Sequence, residues 1–225
     1  MSRLLHFSYI YLIPVLLSAI VSLRSFRLKW PLAFRIFSIS LLLTLLIEYF
    51  AICWKWGFNQ TKWWHYTRSN MWIYDAFVVI KYMFVCSFFY YILRSTFIKK
   101  LIIYSFCLFI PLACYNYFLF QGSFNVDTYS IIFTNSFTIL CSLLFFIQVL
   151  RDKNLITLTK DARVWISLGL LLYNAGTLPF FIFFNYLINE QPSMAVSYLY
   201  INDALNIIMY TLFLIAYLCS PRSQK

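Results

Sequence analysis

Four ionisable side chains stand within long apolar runs of this chain: Glu48, Asp75, Lys81 and Asp203. A charge in hydrocarbon is costly, so such groups mark ligand contacts, proton or ion relays, or pairs that fix one helix against another. Three carboxyls around one lysine permit each of these. Amides share the setting at Asn135 and Asn206, as well as at Asn116, Asn174 and Asn185, and Tyr74 adjoins Asp75.

Spacing sorts these residues onto faces. Asp203, Asn206 and Tyr210 follow i, i+3, i+7 on one side of a helix. Ser40, Thr44 and Glu48 make a second stripe, and Tyr74 with Lys81, seven apart, a third. Asp75 falls off the Tyr74–Lys81 stripe. Lys81 is therefore expected to reach a carboxylate on another helix, Glu48 first and Asp203 second. The candidate ligand pocket comprises Glu48, Tyr74, Asp75, Lys81, Asn135, Asp203 and Asn206. The competing reading is structural: the ion pair sets helix register, amides bridge helices, and Asp75 caps its helix after Ser69 and Asn70.

The elements that must position these groups are membrane spans. Of 225 residues, 63% are hydrophobic and only 11% charged, against about 25% charged in a soluble domain. A spanning helix needs roughly 20 apolar residues, and seven segments qualify: about 7–23, 31–53, 71–93, 101–120, 128–150, 164–188 and 197–219. Pro14 predicts a kink in the first segment, and Pro31 suits the first turn of the second. The first segment is read as retained, because Arg24, Arg27 and Lys29 follow it as a stop and no small-residue cleavage site does. These spans use nearly the whole chain and leave no length for a soluble catalytic domain. The expected fold is an all-α integral membrane protein, one seven-transmembrane-helix bundle over residues 1–225.

Basic residues set the orientation. Arg24, Arg27, Lys29, Arg35, Arg94, Lys99, Lys100, Arg151, Lys153, Lys160, Arg163, Arg222 and Lys225 flank one side; only Arg3, Lys55, Lys62 and Arg68 flank the other. Basic short loops stay in the cytoplasm, which predicts an external N-terminus and a cytoplasmic C-terminus in the cell (cytoplasmic or inner) membrane. With a rise of about 1.5 Å per residue, Asp75 lies about 6 Å deep from the outer side, Glu48 about 8 Å, Asp203 about 9 Å and Lys81 about 15 Å. The expected picture is a polar cavity open to the outside above an inner half of nearly pure hydrocarbon. The loop after the second segment carries Trp54, Trp56, Trp63 and Trp64, with Trp72 just beyond. It reads as an interfacial anchor or as a lid, and Asn59-Gln60-Thr61 within it matches a glycosylation acceptor.

Several chemistries are excluded. His6 and His65 are the only histidines, too few for an intramembrane zinc hydrolase or paired haem ligation. The last segment lacks a lysine for a retinal Schiff base, and no phosphate-binding Gly-rich loop occurs. Six cysteines are scattered without a CxxC pair and read as small hydrophobes. With four glycines, small-residue helix packing is not the expected device. The net charge of +11 sits at helix ends rather than on one soluble face, which points to lipid headgroups and not to nucleic acid.

Some phrases occur together: Ile13-Pro14, Glu48-Tyr49, Ser69-Asn70-Met71-Trp72-Ile73-Tyr74, Val164-Trp165-Ile166-Ser167-Leu168-Gly169 with Leu172-Tyr173-Asn174, and Asn202-Asp203-Ala204-Leu205-Asn206. Together they make the chain similar to a group of uncharacterised bacterial seven-transmembrane-helix proteins. The likeness spans most of the sequence. It implies a seven-helix fold and an accessory role beside sensor kinases or regulators. That group more often has a histidine where Asp203 stands here. The expected function is a non-enzymatic sensory or signalling membrane protein. An outward pocket would take a small or lipid-derived ligand, and a separate signalling protein would dock at the cytoplasmic loops. No cofactor or metal is expected. The alternatives are a small transporter or lipid-handling protein, with Glu48 and Lys81 as a gate, and a scaffold subunit without ligand.

Overall fold

The computed structural model describes residues 9–57, 61, 71–116, 127–151, 159–190 and 192–219. Among them the chain is all-helical, with no strand. Its helices are α1 (Leu12–Ser22), α2 (Arg24–Arg27), α3 (Leu32–Gly57), α4 (Met71–Ile92), α5 (Thr96–Tyr115), α6 (Thr128–Arg151), α7 (Ala162–Glu190) and α8 (Pro192–Leu218). Six, α3 to α8, are long and apolar enough to cross a membrane, which makes the protein a multi-pass membrane protein. The expected first span differs. Its described helix has eleven residues, about 17 Å of rise, and continues through a helical Leu23 into the single turn of α2. Pro14 is the third residue of α1, where a missing N–H leaves no intrahelical bond unmade, so no kink forms within the described helix. At the other end of the chain, α7 and α8 outrun their expected limits and are separated by one residue in sequence.

The turn from α2 into α3 is a Schellman cap. The Trp30 N–H donates to the Ser25 carbonyl at 2.9 Å and the Lys29 N–H to that of Phe26 at 3.3 Å. Lys29 takes the left-handed position, φ 51°, usually held by glycine, at a cost of about 1 kcal/mol. The cap aims Trp30 inward, where it stacks on Tyr217 of α8 at 5.7 Å.

Six helices close a ring. The contacts run α1–α3–α4–α6–α7–α8 and back to α1, while α5 stands outside against α4 and, more lightly, α6. A hydrogen bond between Tyr82 and Ser105 and the packing of Phe109 on Tyr82, 4.7 Å between centroids, hold α5 there. The tightest seam is α7 on α8. A Cβ at Gly169 would stand 2.9 Å from the Phe213 ring and 3.2 Å from the Met209 carbonyl, and one at Gly176 2.8 Å from Leu205. Two glycines seven apart thus let these helices approach, so small-residue packing does operate here, at a spacing other than GxxxG.

One half of the ring is sealed by rings of another kind. Phe37 packs on Phe88 and Phe213, Phe34 on Phe88, and Phe88 on Phe89, with centroids 5.0–6.3 Å apart. This half is not pure hydrocarbon, contrary to expectation. Ser38 contacts Ser25 at 2.7 Å, the Ser22 carbonyl at 3.1 Å and Tyr217 at 2.9 Å, all fully buried. Tyr217 also donates to the Phe34 carbonyl at 2.9 Å. Hydroxyls tolerate this setting because they can bond to a carbonyl of their own or a neighbouring helix.

Candidate functional site

The other half of the ring encloses a cavity of about 410 Å³, within the range of small-molecule sites. Every ring helix lines it and α5 contributes nothing. Tyr11 comes from the N-cap of α1; Thr44 and Glu48 from α3; Tyr74, Asp75, Val78, Lys81 and Tyr82 from α4; Thr134, Asn135 and Thr138 from α6; Tyr173 and Asn174 from α7; and Tyr198, Asn202, Asp203, Asn206 and Tyr210 from α8. All seven sequence-derived candidates therefore face one space. Asp75 belongs with Lys81 after all. The lining arc of α4 holds two adjacent stripes, Tyr74–Lys81 and Asp75–Tyr82, and both meet the cavity. Ser69 and Asn70, with the proposed cap, lie outside the described residues, as do Trp63, Trp64, His65, Asn59 and Gln60 of the loop, and His6.

The pairing of Lys81 differs from expectation. Among the described residues no carboxylate lies within ion-pair distance of its ammonium. The Nζ stands 5.3 Å from the centroid of the Tyr173 ring, a cation–π contact. Glu48 instead takes two tyrosines. Its Oε2 accepts from the Tyr11 hydroxyl at 2.7 Å and the Tyr74 hydroxyl at 3.0 Å, which links α1, α3 and α4. These two donors supply hydrogen bonds without requiring a second buried charge, and charge-assisted bonds of this kind are the stronger ones.

The amides bridge helices or return to their own. Asn135 donates to the Thr177 hydroxyl at 3.2 Å, joining α6 to α7. Tyr173 donates to the Asn202 side-chain oxygen at 3.2 Å, joining α7 to α8. Asn174 Nδ2 donates to the Leu170 carbonyl at 2.6 Å within α7. Asp127 caps α6, accepting from the Ser130 N–H at 3.1 Å and from Asn116.

Two enclosed polar atoms of cavity-lining residues have no partner. Asp75 is 7% exposed and its Oδ2 has no hydrogen bond; Tyr198 is 2% exposed and its hydroxyl has none. Asp203, half-buried, accepts no hydrogen bond from a described residue. Among the described residues, no three His, Cys, Asp or Glu side chains converge closely enough to hold a metal ion. The cavity is thus a mixed surface of tyrosines, amides and dispersed carboxyls.

Sequence reasoning missed Tyr11, Tyr173, Tyr198 and Asn202. Each sits in an apolar run where tyrosine reads as bulk. The available signal was helical register: Tyr198, Asn202 and Asn206 are spaced by four, and Leu199 with Asp203 run beside them. No protein-family model, curated protein or solved structure matches the chain.

Proposed function

We propose that this protein is a seven-span receptor-like protein of the cytoplasmic membrane, non-enzymatic, with its N-terminus outside and its C-terminus inside. The seventh crossing is then the first apolar run, about 7–23, of which α1 is the described helix. A small ligand enters the outer half of the ring, and the shift it causes passes to a separate signalling protein at the basic inner loops. What carries the reading is the contrast between a lined cavity at one end of the ring and an aromatic seal at the other. A transport path needs polar groups that can be reached from both ends. Ser22, Ser25, Ser38 and Tyr217 do continue polarity into the sealed half, which favours a small transporter as the second reading. Each of those groups is fully buried and already bonded, so the receptor reading stands first.

Orientation is checked by fusions after Lys225: fluorescent protein lights in the cytoplasm, and alkaline phosphatase stays inactive there. Active phosphatase would overturn the assignment. The pocket is checked by mass spectrometry of small molecules released from the purified protein. Asn206→Trp, which fills the cavity, is expected to lose species that the unaltered protein retains. An identical profile from a folded Asn206→Trp protein would sink the pocket, and solute accumulation in reconstituted vesicles would move the assignment to transport.

A further inference from the structure

We propose that the cavity is selective for a small organic ammonium ion carrying an apolar, preferably aromatic, group; this rests on the pocket reading above. Charge comes first. Among the described residues, Glu48, Asp75 and Asp203 face the cavity against Lys81, with no other charged side chain on its lining. One carboxyl is offset by that lysine, so the lining keeps an excess of two acidic groups. Glu48 is further occupied by Tyr11 and Tyr74. Lys81 is turned to the Tyr173 ring. The carboxyl left over on the lining, among the described residues, is Asp203.

The shape of the wall supplies the second half. Asp203 follows Leu199 by one helical turn, and Tyr198 stands beside Leu199 on the same lining face of α8. Phe181 and Phe184 of α7 pack on Tyr198 at 5.8 and 5.5 Å, and all three line the cavity. An aromatic wall next to a free carboxylate is what an alkylammonium group requires: a charge-assisted hydrogen bond, π faces for the cationic end and apolar surface for the rest. A bare metal ion is a poorer fit, because the carboxyls are spread around the ring and do not converge.

The test uses three compounds of one shape and different charge: phenylethylamine, phenylethanol and phenylacetate. Thermal unfolding of the full chain in lipid nanodiscs is followed as each is titrated. The amine is expected to raise Tm saturably, the alcohol to need at least about 10-fold more, and the acid to do nothing, since a charge-assisted bond replaces a neutral one. Asp203→Asn is expected to weaken the amine about 10-fold and leave the alcohol unchanged. Equal or stronger stabilisation by phenylethanol or phenylacetate would overturn the ammonium assignment while the pocket survives. Should none of the three shift Tm, the assignment also falls, and the cavity-filling Asn206→Trp comparison decides separately whether the pocket falls with it.

Discussion

The two halves of the ring bury polar groups by opposite means. In the sealed half Ser25, Ser38 and Tyr217 sit among the aromatic rings, and each of these hydroxyls finds a carbonyl or another hydroxyl within 2.7–3.1 Å, while the buried Ser167 hydroxyl of α7 finds none. In the cavity half carboxyls, a lysine and amides join the hydroxyls, and Asp75 and Tyr198 keep unpartnered atoms. A hydroxyl is small enough to bond back to its own helix, so it can be enclosed in packed hydrocarbon. A carboxyl or an ammonium has more bonding capacity than its own turn can meet, and these groups line the open space. Dense packing and polarity with spare valence are therefore separated along the same six helices.

The comparison breaks most severely at Phe88. It is fully buried and packs on Phe34, Phe37 and Phe89. Phe88→Ala should destabilise the protein by about 3–5 kcal/mol, read by thermal unfolding in nanodiscs, with an unchanged half-saturation for phenylethylamine. A shift in half-saturation would mean the two halves are coupled. Gly176→Val comes next. Its side chain would push into Leu205, an overpacking cost of about 1–3 kcal/mol, seen as a lower unfolding temperature. Tyr217→Phe removes one node of the hydroxyl cluster while keeping the stack on Trp30; a loss of about 0.6–1.7 kcal/mol is expected. The smallest effect belongs to Lys81→Met. A lysine with no ion pair among the described residues contributes little to the fold, so stability should hold or rise by up to about 1 kcal/mol. A large loss there would show that the cation–π contact with Tyr173 carries structural weight.

The spans were legible because the bilayer demands length and apolarity, and α3 to α8 meet both. Their ends were less so. The run 101–120 suggested a fourth span that begins late, whereas α5 starts at Thr96 behind the Ser95 cap, whose side chain accepts from the Ile98 N–H. Two lysines in that first turn hid the start from a hydropathy reading. The membership of the cavity was legible too, since costly groups must share a lining. Their partners were not. A seven-residue spacing assigns Lys81 to a face but says nothing of how far that face stands from Glu48, and tyrosine hydroxyls from α1 and α4 reached the carboxylate first. Gly169 and Gly176 looked too few to matter, because a tally of glycines does not reveal that both fall on one seam.

That seam has a mechanical result. Joined across it, and separated by a single residue in the chain, α7 and α8 behave as one stiff lever. Tyr173 and Asp203 ride on the same arm, at whose far tip Cys219 meets the Thr159 carbonyl. Pro179 removes one rung of the α7 ladder beside the cavity, which places the lever's softest point beside the load.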